Sequence, residues 1–337
     1  MPRYCRRTFF RWAAVAGLAA APIRSLFADQ IEDALGRLDA ERIRKDLFHL
    51  SKSPLPVRKA NVTLPGHAKS TLDETDDFLE QRLKQLGYAP WKEAAKAQAF
   101  GFDAKKPRQH AYATPKPDDP WYELNNVYAE KRGLRRPEEI VLLLAHKDSQ
   151  SWIDSPGAYD NAVGTATILE FARVLAEHPA QRTIRFLWCN EEHCPWTSVT
   201  AAKAARARGD RLTAIINVDS LGGKSQAEID AGKKTNVTLY TKPEGKRLAE
   251  LVAKVNDQYR IGLTQRVVQR SHPGDDDGSF VNAGFPAAIV NVGSFPYVDP
   301  NYHDLGDTPE RVDIVNVHLA AKAILAAVLH VDRDGAP

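Results

Sequence analysis

TIRFLWCNEEHCPW, residues 183–196, runs an almost unbroken apolar stretch into two adjacent acids. Thr183 to Cys189 is rich in β-branched and aromatic side chains and carries one charge, the pattern of a strand covered on both faces. Instead of an ordinary polar turn it ends on Glu191 and Glu192, with Cys189, His193 and Cys194 around them. Two other stretches repeat the arrangement: IVLLLAHKDS (140–149) ends in His146 and Asp148, and AIINVDS (214–220) ends in Asp219.

Around these runs, strands alternate with helices. Strand signals cover Asn126 to Glu130, Ile140 to Ala145, Ala214 to Val218, NVTLYT (236–241) and AAIVNVG (287–293). Helical periodicity covers Val163 to Glu177, Val199 to Arg208, Glu244 to Tyr259 and Ile314 to His330. KRGLRRPEE (131–139) reads as a hairpin-like link, and two helices, Ile31 to Leu50 and Thr71 to Leu86, open the chain. SPLPVRKANVTLPGHAKS (53–70) and FDAKKPRQHAYATPKPDDP (102–120) are Pro-broken and suit a surface or the rim of a cleft. The expected fold is α/β: a three-layer αβα sandwich with a mostly parallel mixed central sheet. In such sheets ligands collect beyond the carboxyl ends of the strands, which is where these three runs place their acids and histidine.

The 337 residues carry a net charge of +3, but five of the 46 basic groups (Arg3, Arg6, Arg7, Arg11 and Arg24) precede Asp29, the first acid. The remainder holds 41 basic against 43 acidic groups, which gives no electrostatic support for a nucleic-acid partner. Residues 1–28, with a basic start, an apolar centre from Trp12 to Ala21 and small residues near Ala21 and Ala28, read as an export signal. Arg6-Arg7-Thr8-Phe9-Phe10 resembles the twin-arginine type, which implies a periplasmic or secreted bacterial protein. No later segment reads as apolar enough to span a membrane, so no stable anchor is expected after cleavage, and 29–337 is expected to form one domain. Cys189 and Cys194 are too few for a disulfide scaffold, and whether they pair is left open.

Taken singly, the site candidates have plain explanations: a satisfied histidine at 146, a helix cap at Asp160, a solvated pair at Glu191 and Glu192. Their convergence changes the reading, because carboxylates gathered at one edge repel unless cations neutralise them. The first glycine that would make LGGKS (221–225) a phosphate loop is missing, with Val218 in its place, and there is no G-x-S-x-G nucleophile elbow.

AHKDS (145–149), GAYDNAVG (157–164), NEEH (190–193), NVDS (217–220) and YHDLGDT (302–308), in that order, resemble the M28 family of zinc-dependent aminopeptidases and carboxypeptidases. The resemblance implies two Zn²⁺ ions, with Co²⁺ or Mn²⁺ as alternatives: His146 and Asp219 on one, Glu192 and His303 on the other, Asp160 bridging both. It implies Glu191 as general base and Asp148 as the acceptor that orients His146. Asp307 is expected to orient the loop bearing His303 or to cap a turn, and Asn161 to accompany Asp160 or cap a helix. The chain departs from the family pattern at His193 to Ser198, where a Gly-Leu-x-Gly-Ser turn is usual, and at SHPGDDDGSF (271–280), where Asp276 best matches the family's acid and Asp275 and Asp277 read as possible solvated loop acids. The implied activity is removal of N-terminal residues from a peptide substrate. A carboxypeptidase on the same site, a single-zinc glutaminyl cyclase and a metal-free binding domain are the alternatives.

Overall fold

The computed structural model describes residues 23–337. The export signal expected over 1–28 lies outside these residues except for 23–28, which enter the first helix. Among the described residues the helices are α1 (Ile23–Gly36), α2 (Ala40–Ser51), α3 (Thr71–Gln85), α4 (Val163–Leu175), α5 (Thr197–Arg208), α6 (Gln226–Asp230), α7 (Pro243–Gln258), α8 (Asp275–Asn282) and α9 (Ile314–Asp334). The strands are β1 (Trp91–Ala99), β2 (Gly101–Phe102), β3 (Tyr112–Ala113), β4 (Trp121–Lys131), β5 (Arg136–His146), β6 (Arg182–Cys189), β7 (His193–Cys194), β8 (Arg211–Val218), β9 (Thr235–Tyr240), β10 (Thr264–Gln269) and β11 (Ala288–Val292).

A nine-stranded mixed sheet runs in the order β10-β9-β11-β8-β5-β6-β4-β1-β7. Its central strands β11, β8, β5 and β6 are parallel, and β4, β1 and β7 extend it antiparallel at one side. Alternate residues of the central strands feed two separate cores. Val141, Leu143, Ala145, Ile184, Phe186, Trp188, Ala214 and Ile216 face α1, α2, α4, α7 and α9. Leu142, Leu144, Leu187, Cys189 and Ile215 face α5 and α8. The result is the expected three-layer sandwich, and strands apolar on both sides are its direct sequence cause.

Several local expectations are corrected. The opening helix is two helices, because the Asp39 side chain accepts hydrogen bonds from Glu41 N and Arg42 N and starts a new helix after a break. Residues 131–139 do not close a hairpin: β6 lies between β4 and β5, pairing antiparallel with the first and parallel with the second. The sheet also recruits β1, whose charged and alanine-rich sequence carries no strand signal of its own. Helix α9 is long and apolar enough by composition to cross a membrane, contrary to the sequence reading. It is largely apolar because it is a core helix, with most residues from Val317 to Val331 buried against the sheet and its neighbours and His318, Lys322 and His330 half-buried.

Candidate metal centre

Parallel register brings the site together. His146 pairs with Cys189, the last residue of β6, and Leu144 pairs with Asn217, so β5, β6 and β8 end side by side. His146, Glu191, Glu192 and Asp219 therefore emerge at one edge. Asp160 comes from the β5–α4 connection, where Gly157 takes a left-handed φ of 56° and a Cβ would lie 2.6 Å from the Asp160 carbonyl oxygen. His303 comes from the long connection between β11 and α9, with φ of 52°.

The five expected ligands form two groups that share Asp160. In one, His146 Nε2 lies 3.1 Å from Asp160 Oδ1 and 3.4 Å from Asp219 Oδ1. In the other, His303 Nε2 lies 3.0 Å from Asp160 Oδ2 and 3.3 Å from Glu192 Oε1. Candidate ligand atoms within each group lie within 4.8 Å of one another. Each imidazole has its other nitrogen engaged, His146 Nδ1 with Asp148 Oδ1 at 3.2 Å and His303 Nδ1 with the Gln109 carbonyl at 2.8 Å, so each Nε2 is left to bind a cation.

The residues fit a pair of divalent ions. All five ligands are buried, and neutral histidines would leave three carboxylates uncompensated away from water. Burial pulls the His303 imidazolium down, but Glu192 and then Asp160 outweigh it and push the group up to about 10. Nitrogen and carboxylate oxygen donors with one bridging carboxylate suit two Zn²⁺ or similar cations.

Asp148 organises the turn after β6. Fully buried, it accepts hydrogen bonds from the backbone N–H of Glu191 (3.0 Å) and Glu192 (2.8 Å), and its two oxygens also meet His146 and His193 Nδ1, the latter at 2.7 Å. His193 Nε2 accepts from Ala60 N at 3.3 Å, so Nδ1 carries its proton. Burial raises the Asp148 carboxyl, yet the two histidines outweigh it and hold it below the usual carboxylate range. Glu191 belongs to neither ligand group. It lines the cleft, its Oε2 is buried and has no partner among the described residues, and burial followed by Asp276 and Asp275 pushes it well above its ordinary range.

Other side chains serve the site in ways the sequence did not announce. The Gln150 amide donates to Asp160 Oδ2 (3.0 Å) and Glu192 Oε1 (2.8 Å), while its own oxygen is buried with no partner among the described residues. Arg58, fully buried, donates to the carbonyls of Lys147 (2.7 Å), Pro156 (2.8 Å), Gly157 (2.7 Å) and Leu50, fastening both site loops to α2. Asp307 ties the connection that carries His303 to the turn that carries Asp160. It accepts from the consecutive N–H groups of Tyr159 (2.8 Å) and Asp160 (3.1 Å), in a turn whose non-helical Asp160 and Asn161 break the regular hydrogen-bond ladder. Asn161 accepts from Gly164 N at 2.9 Å in the manner of a cap and donates to the Val218 carbonyl at 2.9 Å beside Asp219.

Of the three acids after Gly274, Asp276 and Asp277 are buried and Asp275 is half-buried. They form the first turn of α8, which was unforeseen: Asp276 accepts from the Cys189 thiol at 3.0 Å, Asp277 from Arg270 Nη2 at 2.5 Å, and Asp275 lines the cleft. Among the described residues, Cys189 and Cys194 are not bonded to each other. The cleft above the ligands has a volume of about 290 Å³ and is walled by Phe100, Tyr112, Trp152, Trp196, Tyr297 and Tyr302.

Residues 126–328 match the family described as Peptidase family M28. Leucine aminopeptidase 1 of Paracoccidioides brasiliensis (strain Pb03) is 29% identical over 203 residues, 57% of this chain and 52% of that protein. The chain thus spans about half the length of the curated relatives it matches. The Legionella pneumophila LapA aminopeptidase structure superposes with a TM-score of 0.68 at 19% identity, covering 91% of this chain and 75% of that one. A glutaminyl cyclase from Bacteroides thetaiotaomicron superposes with a TM-score of 0.64 at 15% identity, covering 87% and 98%. At these identities the structural likeness shows the fold, a zinc-exopeptidase-like sandwich, and no more.

Proposed function

From the premise that the chain belongs to peptidase family M28, we propose that it is an exported metallo-aminopeptidase that removes N-terminal residues from peptides. The observation that carries the reading is the pair of ligand groups joined through separate oxygens of Asp160, with Glu191 beside them and outside both. Two divalent cations, Zn²⁺ first among them, would be held by His146, Asp160 and Asp219 and by Asp160, Glu192 and His303, and would supply Lewis-acid polarisation of the scissile carbonyl and of water.

The chain's own part follows from its geometry. Glu191 takes a proton from the attacking water as the new C–O bond forms, and gives that proton to the amine nitrogen as the C–N bond breaks. Asp148 holds Glu191 and Glu192 by their backbone N–H groups, so base and ligand keep their separate directions. The amino end of a substrate suits the cleft better than the carboxyl end. Among the described residues lining it there are carboxylates at 160, 191, 192, 219 and 275 but no Lys or Arg to receive a terminal carboxylate. Residues 1–28 support export, and 29–337 would then be the peptidase domain.

The test is hydrolysis of aminoacyl substrates with and without chelator, together with Glu191→Gln. Chelation is expected to abolish activity, and the Gln variant to keep its metal while losing about 10²–10⁴-fold in kcat. Unimpaired turnover by Glu191→Gln removes the base from its role. One metal per chain, with cyclisation of an N-terminal glutamine, would replace the reading with the cyclase.

A further inference from the structure

Asp275 lines the cleft yet belongs to neither ligand group and is not the proposed base. Its Oδ2 is tied down, accepting from Arg270 Nη1 at 2.7 Å and from the Tyr297 hydroxyl at 3.0 Å. No hydrogen bond from the described residues reaches Oδ1, and the side chain keeps 19% of its surface open. The backbone there has φ of 56°, a region a non-glycine residue enters at some cost and which Asp tolerates better than most. Arg270 is shared with Asp277 through its other nitrogen. A carboxylate is thus fixed in place with one oxygen free.

Between this acid and the metal ligands the wall is aromatic. Tyr297 stacks on Tyr302 with centroids 4.9 Å apart, Tyr302 on His303 at 3.8 Å, and Trp152 meets His303 edge-on at 5.1 Å. A ring-lined wall leading to a carboxylate suits a side chain with an aliphatic stem and a cationic head: the stem runs along the edges of the stacked rings and the head reaches the acid. A leucine in the same slot would strip water from Asp275 Oδ1 and return no hydrogen bond, so a site of this chemistry rejects it.

Resting on the exopeptidase reading above, we propose that Asp275 selects substrates whose first residue is basic, Lys or Arg, by pairing its free carboxylate oxygen with the cationic head. The chain then differs in preference from the relatives named for leucine.

The experiment measures kcat/KM of the zinc-reconstituted full chain on Lys-, Arg- and Leu-aminomethylcoumarin, for the wild type, Asp275→Asn and Asp275→Ser. The wild type is expected to favour Lys and Arg over Leu by about 10–100-fold. Both variants are expected to collapse that ratio to within about threefold of unity, chiefly by raising KM for the basic substrates. Asn tolerates the positive φ, and thermal unfolding of each variant identifies any that fails to fold, in which case the other decides. A wild type that prefers Leu overturns the proposal and leaves the exopeptidase reading standing. An equal loss on all three substrates also overturns it, since it would place Asp275 at the α-ammonium common to them. A wild type that cleaves none of them overturns both readings.

Discussion

The two ligand groups share Asp160 and little else in how they are built. His146 ends β5 and Asp219 follows β8, so this group sits on central parallel strands whose ladders are dry on both faces. Its imidazole is braced by Asp148, which also grips the turn after β6. In the second group, Glu192 follows β6, but His303 rides a long connection and is braced by the Gln109 carbonyl, which belongs to another loop 194 residues earlier. Stacking on Tyr302 and the edge of Trp152 does for His303 what the sheet does for His146. A ligand seated on a sheet is positioned by the whole core, whereas a ligand carried by two meeting loops is positioned only when both are in place. If both groups bind cations, as proposed, the position made by Asp160, Glu192 and His303 should hold its ion less tightly.

Asp160→Asn is the most severe way to probe this contrast, because it weakens both positions at once. It is expected to cut metal content well below two per chain and kcat/KM by more than about 10³-fold, checked by elemental analysis beside kinetics. Retention of two ions would dissolve the shared-ligand arrangement. Next in size, His303→Ala is expected to leave about one ion per chain with the fold intact, whereas His146→Ala should lower metal content and also lower the unfolding midpoint through its buried site. Indistinguishable behaviour of the two variants would break the comparison.

The smallest effect is one of pH on the metal-free protein. His303 rises from 6.5 to about 10 on folding, so its contribution to stability is complete below about 6.5 and is lost as pH climbs through about 10. Chelated protein should lose several degrees of unfolding midpoint between about pH 7 and pH 10. Zinc-loaded protein should not, since its histidines have exchanged protons for metal. A flat profile in chelator would mean that His303 holds no extra proton.

How much of this was legible in the sequence follows the same division. β5, β6 and β8 and the residues at their ends could be read because apolar runs and terminal acids are local signals. The register that sets those ends side by side turned a spacing pattern into geometry. What was hidden depends on distant partners: Gln109 against His303, Arg58 against Lys147 and Gly157, and Asp307 against the Asp160 turn. β1 was hidden for a related reason, since WKEAAKAQA becomes a strand only through its pairing with β4. α8 was masked by a run of three acids that looks solvated, although Asp276 and Asp277 are buried.

Helix α9 has a bearing on the route by which such a chain could leave a cell. A polypeptide threaded through a channel in extended form would present this 21-residue greasy segment to the lipid on its way, with every chance to halt there. Packed into the core it keeps most of that surface covered, so if the chain is exported, as proposed, folding ahead of translocation would remove the stop signal that its own composition spells out.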